Sequence, residues 1–460
     1  MSTRRPSRPL GHALSILLLL SLLAVLVTPA LAHNSLNPSQ AGVAVPAAAP
    51  PVPKTIGGGG DYTTLKAAFD DINAGVLTGA IQLDVIGDTT ETATASLNAS
   101  GTGSASYTSV LIQPSGGAAR TISGAIVAAS PLIDLNGADY VTIDGLNSGG
   151  NTLTIANTTV SATSGTSTIR FQADATNNTV TNSNIQGAAT MAVGTNGGTI
   201  YFGAGAISTG NDNNTISYNN IGPVGSNLPS KAVFSNGTTT STATYNSGNV
   251  VTNNNIFDFF GAAVQSAGFY MSSGTTDCTI SNNRLYQTGT RTQTTASTHA
   301  GIQLASSNIN NCTISGNTIG YASAAGTGTY DFVGFSSSSK FIPIYFSTHG
   351  TTTASSVQGN TITAISLSGI VGGTGTSGAF VGISVSSGLV NIGNVTGNTI
   401  GSLTTPGAIA VSSNNASAFD VRGIYFFPSA SVNISNNNVG GITAANSGVG
   451  AINLIGIHAY

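Results

Sequence analysis

The stretch Asn311-Cys312-Thr313-Ile314-Ser315-Gly316-Asn317-Thr318-Ile319 recurs in variants along most of the chain. Its relatives include Asn213-Asn214-Thr215-Ile216-Ser217-Tyr218-Asn219-Asn220-Ile221 and Asp277-Cys278-Thr279-Ile280-Ser281-Asn282-Asn283-Arg284-Leu285. In each copy, two short runs of alternating apolar and polar residues flank one or two asparagines. Alternation at period two predicts strands. Asn between them predicts a tight bend, because it tolerates the left-handed conformation and can hydrogen-bond its own backbone. Each copy reads as strand, bend, strand.

The apolar residues closing successive copies are Ile185, Ile221, Ile256, Leu285, Ile319, Ile362, Ile400 and Val439, spaced 36, 35, 29, 34, 43, 38 and 39 residues apart. A second signature precedes several copies: Gly301-Ile302-Gln303-Leu304, Gly382-Ile383-Ser384-Val385 and Gly423-Ile424-Tyr425-Phe426, with looser forms at Gly268-Phe269-Tyr270-Met271 and Pro343-Ile344-Tyr345-Phe346. Each repeat thus holds three short strands and one loop of variable length. A period of this size, built from strands without helices, predicts a solenoid. Three strands per turn predict an all-β parallel β-helix, each strand pairing with its equivalent one turn away, ~4.8 Å along the axis. The chain is 40% hydrophobic and those residues alternate, which favours many short strands over disorder.

Charge excludes some partners. Charged residues are 6% of the chain and the formal net charge is −3, so there is no basic footprint for nucleic acid. Arg4, Arg5 and Arg8 form the positive region of an expected signal peptide over residues 1–32. Ala13 to Val27 is its apolar run and Ala30-Leu31-Ala32 its cleavage pattern. Without those arginines, Lys+Arg falls from 12 to 9 against 15 acids, a balance of −6. The expected location is secreted or cell-surface, with no membrane insertion after signal removal. Residues 33–53, with Pro46, Pro50, Pro51 and Pro53, read as a semi-rigid linker.

Residues 54–79 read as an N-terminal cap. The run Gly57-Gly58-Gly59-Gly60 lacks the lysine spacing of a phosphate loop, and no strand–loop–helix nucleotide unit follows. Thr63 or Thr64 can cap a helix from about Leu65 to Asn73. Leu65, Phe69 and Ile72 would form its apolar face and Gly75 its stop. Such a helix would cover the open end of a stack of strands. Residues 80–460 carry the repeats. Gly456-Ile457-His458-Ala459-Tyr460 restarts the Gly-Ile signature, so the array reads as cut off at the start of a further turn. A fragment of a longer protein is expected ahead of a stack completed by another chain.

The repeats resemble those of right-handed parallel β-helix proteins, the pectin-lyase-like superfamily. The segment Gly60-Asp61-Tyr62-Thr63-Thr64-Leu65-Lys66-Ala67-Ala68-Phe69 resembles that superfamily's N-terminal cap. The whole is also similar to secreted bacterial β-helix surface proteins. The resemblance covers about residues 55–460. It implies the fold, and it implies that the outer face of the Gly-Ile strands corresponds to the substrate cleft of the superfamily's enzymes. It assigns no activity, because one fold hosts many functions.

In the Gly-Ile strands the residue after Gly points inward and the next outward. The outward column then reads Tyr201, Tyr270, Gln303, Tyr345, Ser384, Tyr425 and His458, started by Arg170. A calcium-dependent lyase needs clustered carboxylates and a base, and a hydrolase needs two or three acids at close range. The column has neither Asp nor Glu, and Glu91 is the only Glu in the chain. No catalytic residue, metal ligand or cofactor is expected. Tyr201, Tyr270, Gln303, Tyr345 and Tyr425 are the candidate ligand-binding residues, since aromatic rings can stack on sugars. The competing reading is a plain aromatic ladder along the solenoid. Asp277, Arg284, Arg291 and His299 lie in two consecutive turns and could converge. Cys278 and Cys312 occupy equivalent places 34 residues apart and should both point inward. A bridge and two buried thiols stay open, and the in-register side-chain vectors favour the thiols. Asn184, Asn220, Asn255, Asn283, Asn317, Asn360, Asn398 and Asn438 are expected to stack at the bends.

The leading expectation is a non-enzymatic surface scaffold or adhesin-like module, with polysaccharide or extracellular protein as partner. Thr-rich loops such as 236–247 and 321–340 would adjust its surface. The alternatives are a polysaccharide-active lyase or hydrolase and a passive spacer within a longer surface protein.

Overall fold

The computed structural model describes residues 52–205, 208–334, 339–369, 371, 373 and 378–460. The expected signal peptide, and the expected linker up to Pro51, lie outside these residues.

The chain is a right-handed parallel β-helix. Among the described residues one sheet has twelve strands, two have eleven and a fourth has five, and each strand pairs in parallel with the equivalent strand one turn away. The first sheet runs from Lys54–Ile56 to Ala430–Ile434, the second from Thr89–Thr90 to Asn438–Gly440, and the third from Ala95–Asn98 to Ile452–Ala459. The repeat spacing is the register. In the second sheet Ile185 pairs with Ile221, Ile221 with Ile256, Ile256 with Leu285, Leu285 with Ile319, Ile319 with Ile362, Ile362 with Ile400 and Ile400 with Val439. Ile452–Ala459, expected to open a further turn, pairs with Phe419–Phe426. It follows Ala430–Ile434 and Asn438–Gly440 of the same turn.

The fourth sheet corrects the three-strand reading. It begins at Arg291–Thr292 and continues through Tyr330–Gly334, Ile365–Gly369, Ile409–Ser413 and Ile442–Asn446. Tyr330–Gly334 lies inside the stretch 321–340 taken for a loop. It alternates over Tyr330, Asp331 and Phe332, and both aromatics are fully buried. The flanking Gly, Ser and Thr mask that alternation in the sequence. The later turns thus have four sides.

Inside the solenoid, inward residues stack on their equivalents one turn away. Phe171 stacks on Phe202 at 4.7 Å between ring centroids, and Ile302 and Ile344 are register partners without exposed surface. Each such side chain contributes roughly 1.5–3 kcal/mol by leaving water. The Gly of the Gly-Ile signature sits where neighbouring turns touch. A Cβ on Gly301 would lie 2.6 Å from the Pro343 carbonyl oxygen, and one on Gly423 would lie 2.5 Å from that of Gly456.

The N-terminal helix α1 spans Leu65–Asn73, and the Thr64 hydroxyl accepts the Ala67 N–H. Leu65, Ala68, Phe69 and Ile72 are buried. Asn73 works as a strand substitute: its amide donates to Ser96 O at 2.8 Å and accepts from Asn98 N at 2.9 Å, which covers the edge of the third sheet. Glu91 accepts the Leu65 and Lys66 N–H groups, so the one glutamate serves the helix N-terminus. Gly57 and Gly58 press against Gly87, which explains the glycine run. A Cβ on Gly57 would meet the Gly87 oxygen at 2.3 Å.

Buried asparagines line the corner between the first and second sheets. The ladder is Asn219, Asn254, Asn283, Asn317, Asn360, Asn398 and Asn437, each Oδ1 accepting both the backbone and side-chain N–H of the one before. The sequence reading merged two columns. Asn184, Asn220 and Asn255 belong to a separate outward ladder on the second sheet, and Asn438 pairs with Thr399 there. A second buried ladder, Asn178, Asn214 and Asn249, runs just before the first sheet. Cys278 and Cys312 continue that position. They are disulfide-bonded, against the preference for free thiols, because the stacked turns bring their Cα atoms to 4.5 Å.

Candidate functional site

The outer face of the third sheet carries the expected column, in the expected register. Arg170 pairs with Tyr201, Tyr270 with Gln303, Gln303 with Tyr345, Tyr345 with Ser384, Ser384 with Tyr425 and Tyr425 with His458. Three members were missed, the first of them Ser96, which pairs with Asp134. Phe234 fills the rung between Tyr201 and Tyr270, and Asp134 lies one rung before Arg170. Phe234 belongs to Lys231–Ser235, a strand without the Gly-Ile signature. Asp134 and Arg170 form a two-point ion pair at 2.9 and 2.8 Å. Tyr201, Phe234 and Tyr270 form a ring ladder with centroids 5.6 and 5.8 Å apart.

Outward does not mean exposed. Tyr201 is 5% accessible, Gln303 4% and Tyr425 1%. Only Tyr270 and Tyr345 of the five candidates are part-exposed. One cover is the segment 189–197. Val193 packs on Ala267, Ala300 and Tyr270. Lys231 pins this segment from below. Its ammonium donates to the carbonyls of Ala192 at 3.3 Å and Val193 at 3.0 Å, and to that of Thr195, and it sits 4.1 Å from the Phe234 ring centroid. Burial lowers its pKa to about 7. Burial also raises the phenols of Tyr201, to about 12, and of Tyr270. At the far end Ile342, Val381 and Tyr425 form a second apolar cluster with Tyr345 and Phe427.

Between the two clusters Tyr270 and Tyr345 flank Gln303, two rungs or ~10 Å apart along the axis. The Gln303 amide is committed on both sides, accepting from Gln265 at 2.7 Å and donating to Ser347 at 3.1 Å. It fixes the spacing of the two rings and has little left to offer a ligand.

Asp277, Arg284, Arg291 and His299 do not form one cluster. Asp277 accepts the Asn311 amide at 2.6 Å, and Arg284 belongs to the outward column of the second sheet. Arg291 pairs with Asp258 and donates to Gln287, which donates to the Tyr330 hydroxyl. His299 joins that network from inside the solenoid, bonded to Tyr330 and Ser266. Burial, with Arg291 nearby, lowers its pKa to about 3. A neutral imidazole held this way braces the core. The remaining buried pair, Asp420 with Arg422, stands under the Tyr425 ring, 4.5 Å from its centroid.

No protein-family model and no curated protein matches the chain. Among solved structures it is similar to the Streptococcus pneumoniae surface protein and adhesin PfbA, at 13% identity and a TM-score of 0.40, over 85% of this chain and 95% of that one. It is also similar to an alginate lyase from Paenibacillus sp. str. FPU-7, at 13% identity and a TM-score of 0.30, over 81% and 97% of the two chains. A third likeness is to tailspike protein gp49 of the Acinetobacter baumannii bacteriophage Fri1, a capsular polysaccharide depolymerase. There the identity is 10% and the TM-score 0.31, over 85% and 62%. At such low identity and TM-score, these likenesses assign no activity to this chain.

Proposed function

We propose that this protein is a secreted or cell-surface β-helix scaffold that binds an extracellular polysaccharide or protein without chemically altering it. The observation that supports this reading most is how its carboxylates are used. Asp134 is bound by Arg170, Asp258 by Arg291, Asp420 by Arg422 and Asn453, and Glu91 by the helix N-terminus. Asp139, Asp144, Asp174 and Asp277 tie adjacent turns together through side-chain or backbone N–H donors. Acid–base chemistry on a glycan needs two or more acids facing the substrate, whereas these eight acids face their own chain and Asp331 stands singly on the outer face of the fourth sheet. The Cys278–Cys312 disulfide suits an oxidising compartment.

The contact surface in this reading is the Tyr270–Gln303–Tyr345 patch. The mature protein is incubated with neutral and acidic polysaccharides and co-sedimented. Retention by the wild type, weakened at least about tenfold by Tyr270→Ala with Tyr345→Ala, is the expected result. Equal retention by that double variant removes the patch from the proposal.

A further inference from the structure

A separate open groove of about 490 Å³ lies where the second sheet turns towards the fourth. That volume is within the range of small-ligand sites. Three successive turns build it. Tyr321 comes from the first, Thr361 and Thr363 from the second, and Thr399, Ser402 and Leu403 from the third.

The outward threonines stand in register: Thr318 pairs with Thr361, and Thr361 with Thr399. Of these, Thr361 and Thr399 line the groove, and their hydroxyls stand one turn, ~4.8 Å, apart along the axis. That repeat approximates the length of one pyranose residue in an extended chain. Its apolar surface comes from the part-exposed Tyr321 ring in the first turn and from Leu403, 68% accessible, in the third. Tyr321 is held at φ 67°, in the left-handed region, by its N–H bond to Ala364 O. This backbone is one a bulky residue adopts rarely. No charged side chain lines the groove, although Arg284, two rungs from Thr361, reaches the Gly326 loop beside the Tyr321 ring. Hydroxyls beside an aromatic and an aliphatic side chain suit a ligand with apolar ring faces and equatorial hydroxyls. The absence of charge in the lining selects against a polyanion, whose carboxylates would lose water without gaining a partner.

We infer that this groove is a second carbohydrate-binding site, taking an extended neutral oligosaccharide parallel to the solenoid axis. It is independent of the third-sheet patch. The test uses the mature protein on an array of linear neutral gluco-, xylo- and manno-oligosaccharides beside tetragalacturonate, followed by calorimetric titration of the best neutral binder. Tyr321→Asn removes the ring and places a residue better suited to φ 67°. Thr361→Val with Thr399→Val removes the hydroxyls and keeps the β-branched shape. Each should weaken the neutral ligand at least about tenfold and leave the melting temperature unchanged or higher. No neutral oligosaccharide retained, preference for tetragalacturonate, or wild-type affinity in both variants overturns the inference. The Tyr270→Ala/Tyr345→Ala variant is titrated in parallel. Affinity lost only there overturns the groove and leaves the third-sheet patch. Affinity lost only in the groove variants does the reverse.

Discussion

The Oδ1 of Asn360 accepts two hydrogen bonds from Asn317, one from its backbone N–H and one from its side-chain amide, each 3.0 Å long. Asn317 passes the same pattern to Asn283 and sends its remaining N–H to Ile280 O at 2.8 Å. The unit repeats up the corner, so one residue type satisfies the backbone at this bend from Asn219 to Asn398. Replacing it leaves buried donors and an acceptor without partners, which costs about 1–3 kcal/mol for each group. Asn317→Ala should therefore lower stability by several kcal/mol, of the order of two or more such groups. Asn220→Ala in the exposed outer ladder should change it by about 0.5 kcal/mol or less. Urea midpoints of the two variants check this, and equal midpoints would refute the buried ladder's role.

The disulfide closes a loop of 34 residues. A loop of that length corresponds to roughly 3–4 kcal/mol of restricted unfolded-chain entropy. Under denaturing conditions without reductant, thiol titration should find no free cysteine, and dithiothreitol should lower the melting temperature. Two titratable thiols in the unreduced protein would contradict the pairing.

Lys231 should give stability an alkaline dependence. Its folded pKa is lowered to about 7 against 10.5 for the free side chain. Between those values the unfolded chain holds more protons, so stability should rise with pH. The window to measure is about 7.5 to 9.5, below the tyrosine range. Lys231→Met should flatten the slope and free the segment 189–197 from its anchor. A flat wild-type profile would mean that the carbonyls and the Phe234 face hold the ammonium as well as water does.

On the acid side the sign is the same, and so is the reason. His299 is neutral in the fold, with a pKa lowered to about 3, and His349 is lowered to about 4, both by burial. Unfolding lets each take a proton at its ordinary value near 6.5, so stability should fall as pH drops from 6.5 towards 4. His299→Gln keeps polar contacts to Ser266 and Tyr330 in reach and should make that fall shallower. Identical slopes would locate the acid sensitivity elsewhere.

Much of the architecture was legible because the repeat is physical. Isoleucines that must stack one turn apart show up as a period, and the spacings from Ile185 to Val439 are the strand register itself. Helix α1 was legible from its apolar face and its threonine cap. The fourth sheet was not, because Tyr330–Gly334 is one short alternation among Gly and Thr. The asparagine columns were confused because adjacent asparagines, such as Asn219 and Asn220, point to opposite sides of the wall. Phe234 was missed for want of a signature. The cover on the tyrosines was invisible for a deeper reason. It depends on Lys231 reaching the carbonyls of a segment 36 to 39 residues earlier, and no local pattern encodes that reach.

The proposed scaffold binds polysaccharide and does not cut it. The most direct measurement is the chain-length distribution of neutral and acidic polysaccharides incubated with the mature protein, with and without calcium. A scaffold that binds without cutting leaves lengths unchanged in every incubation, with polymer retained on the protein. Shortened chains, or new unsaturated ends, would contradict it and make the protein an enzyme.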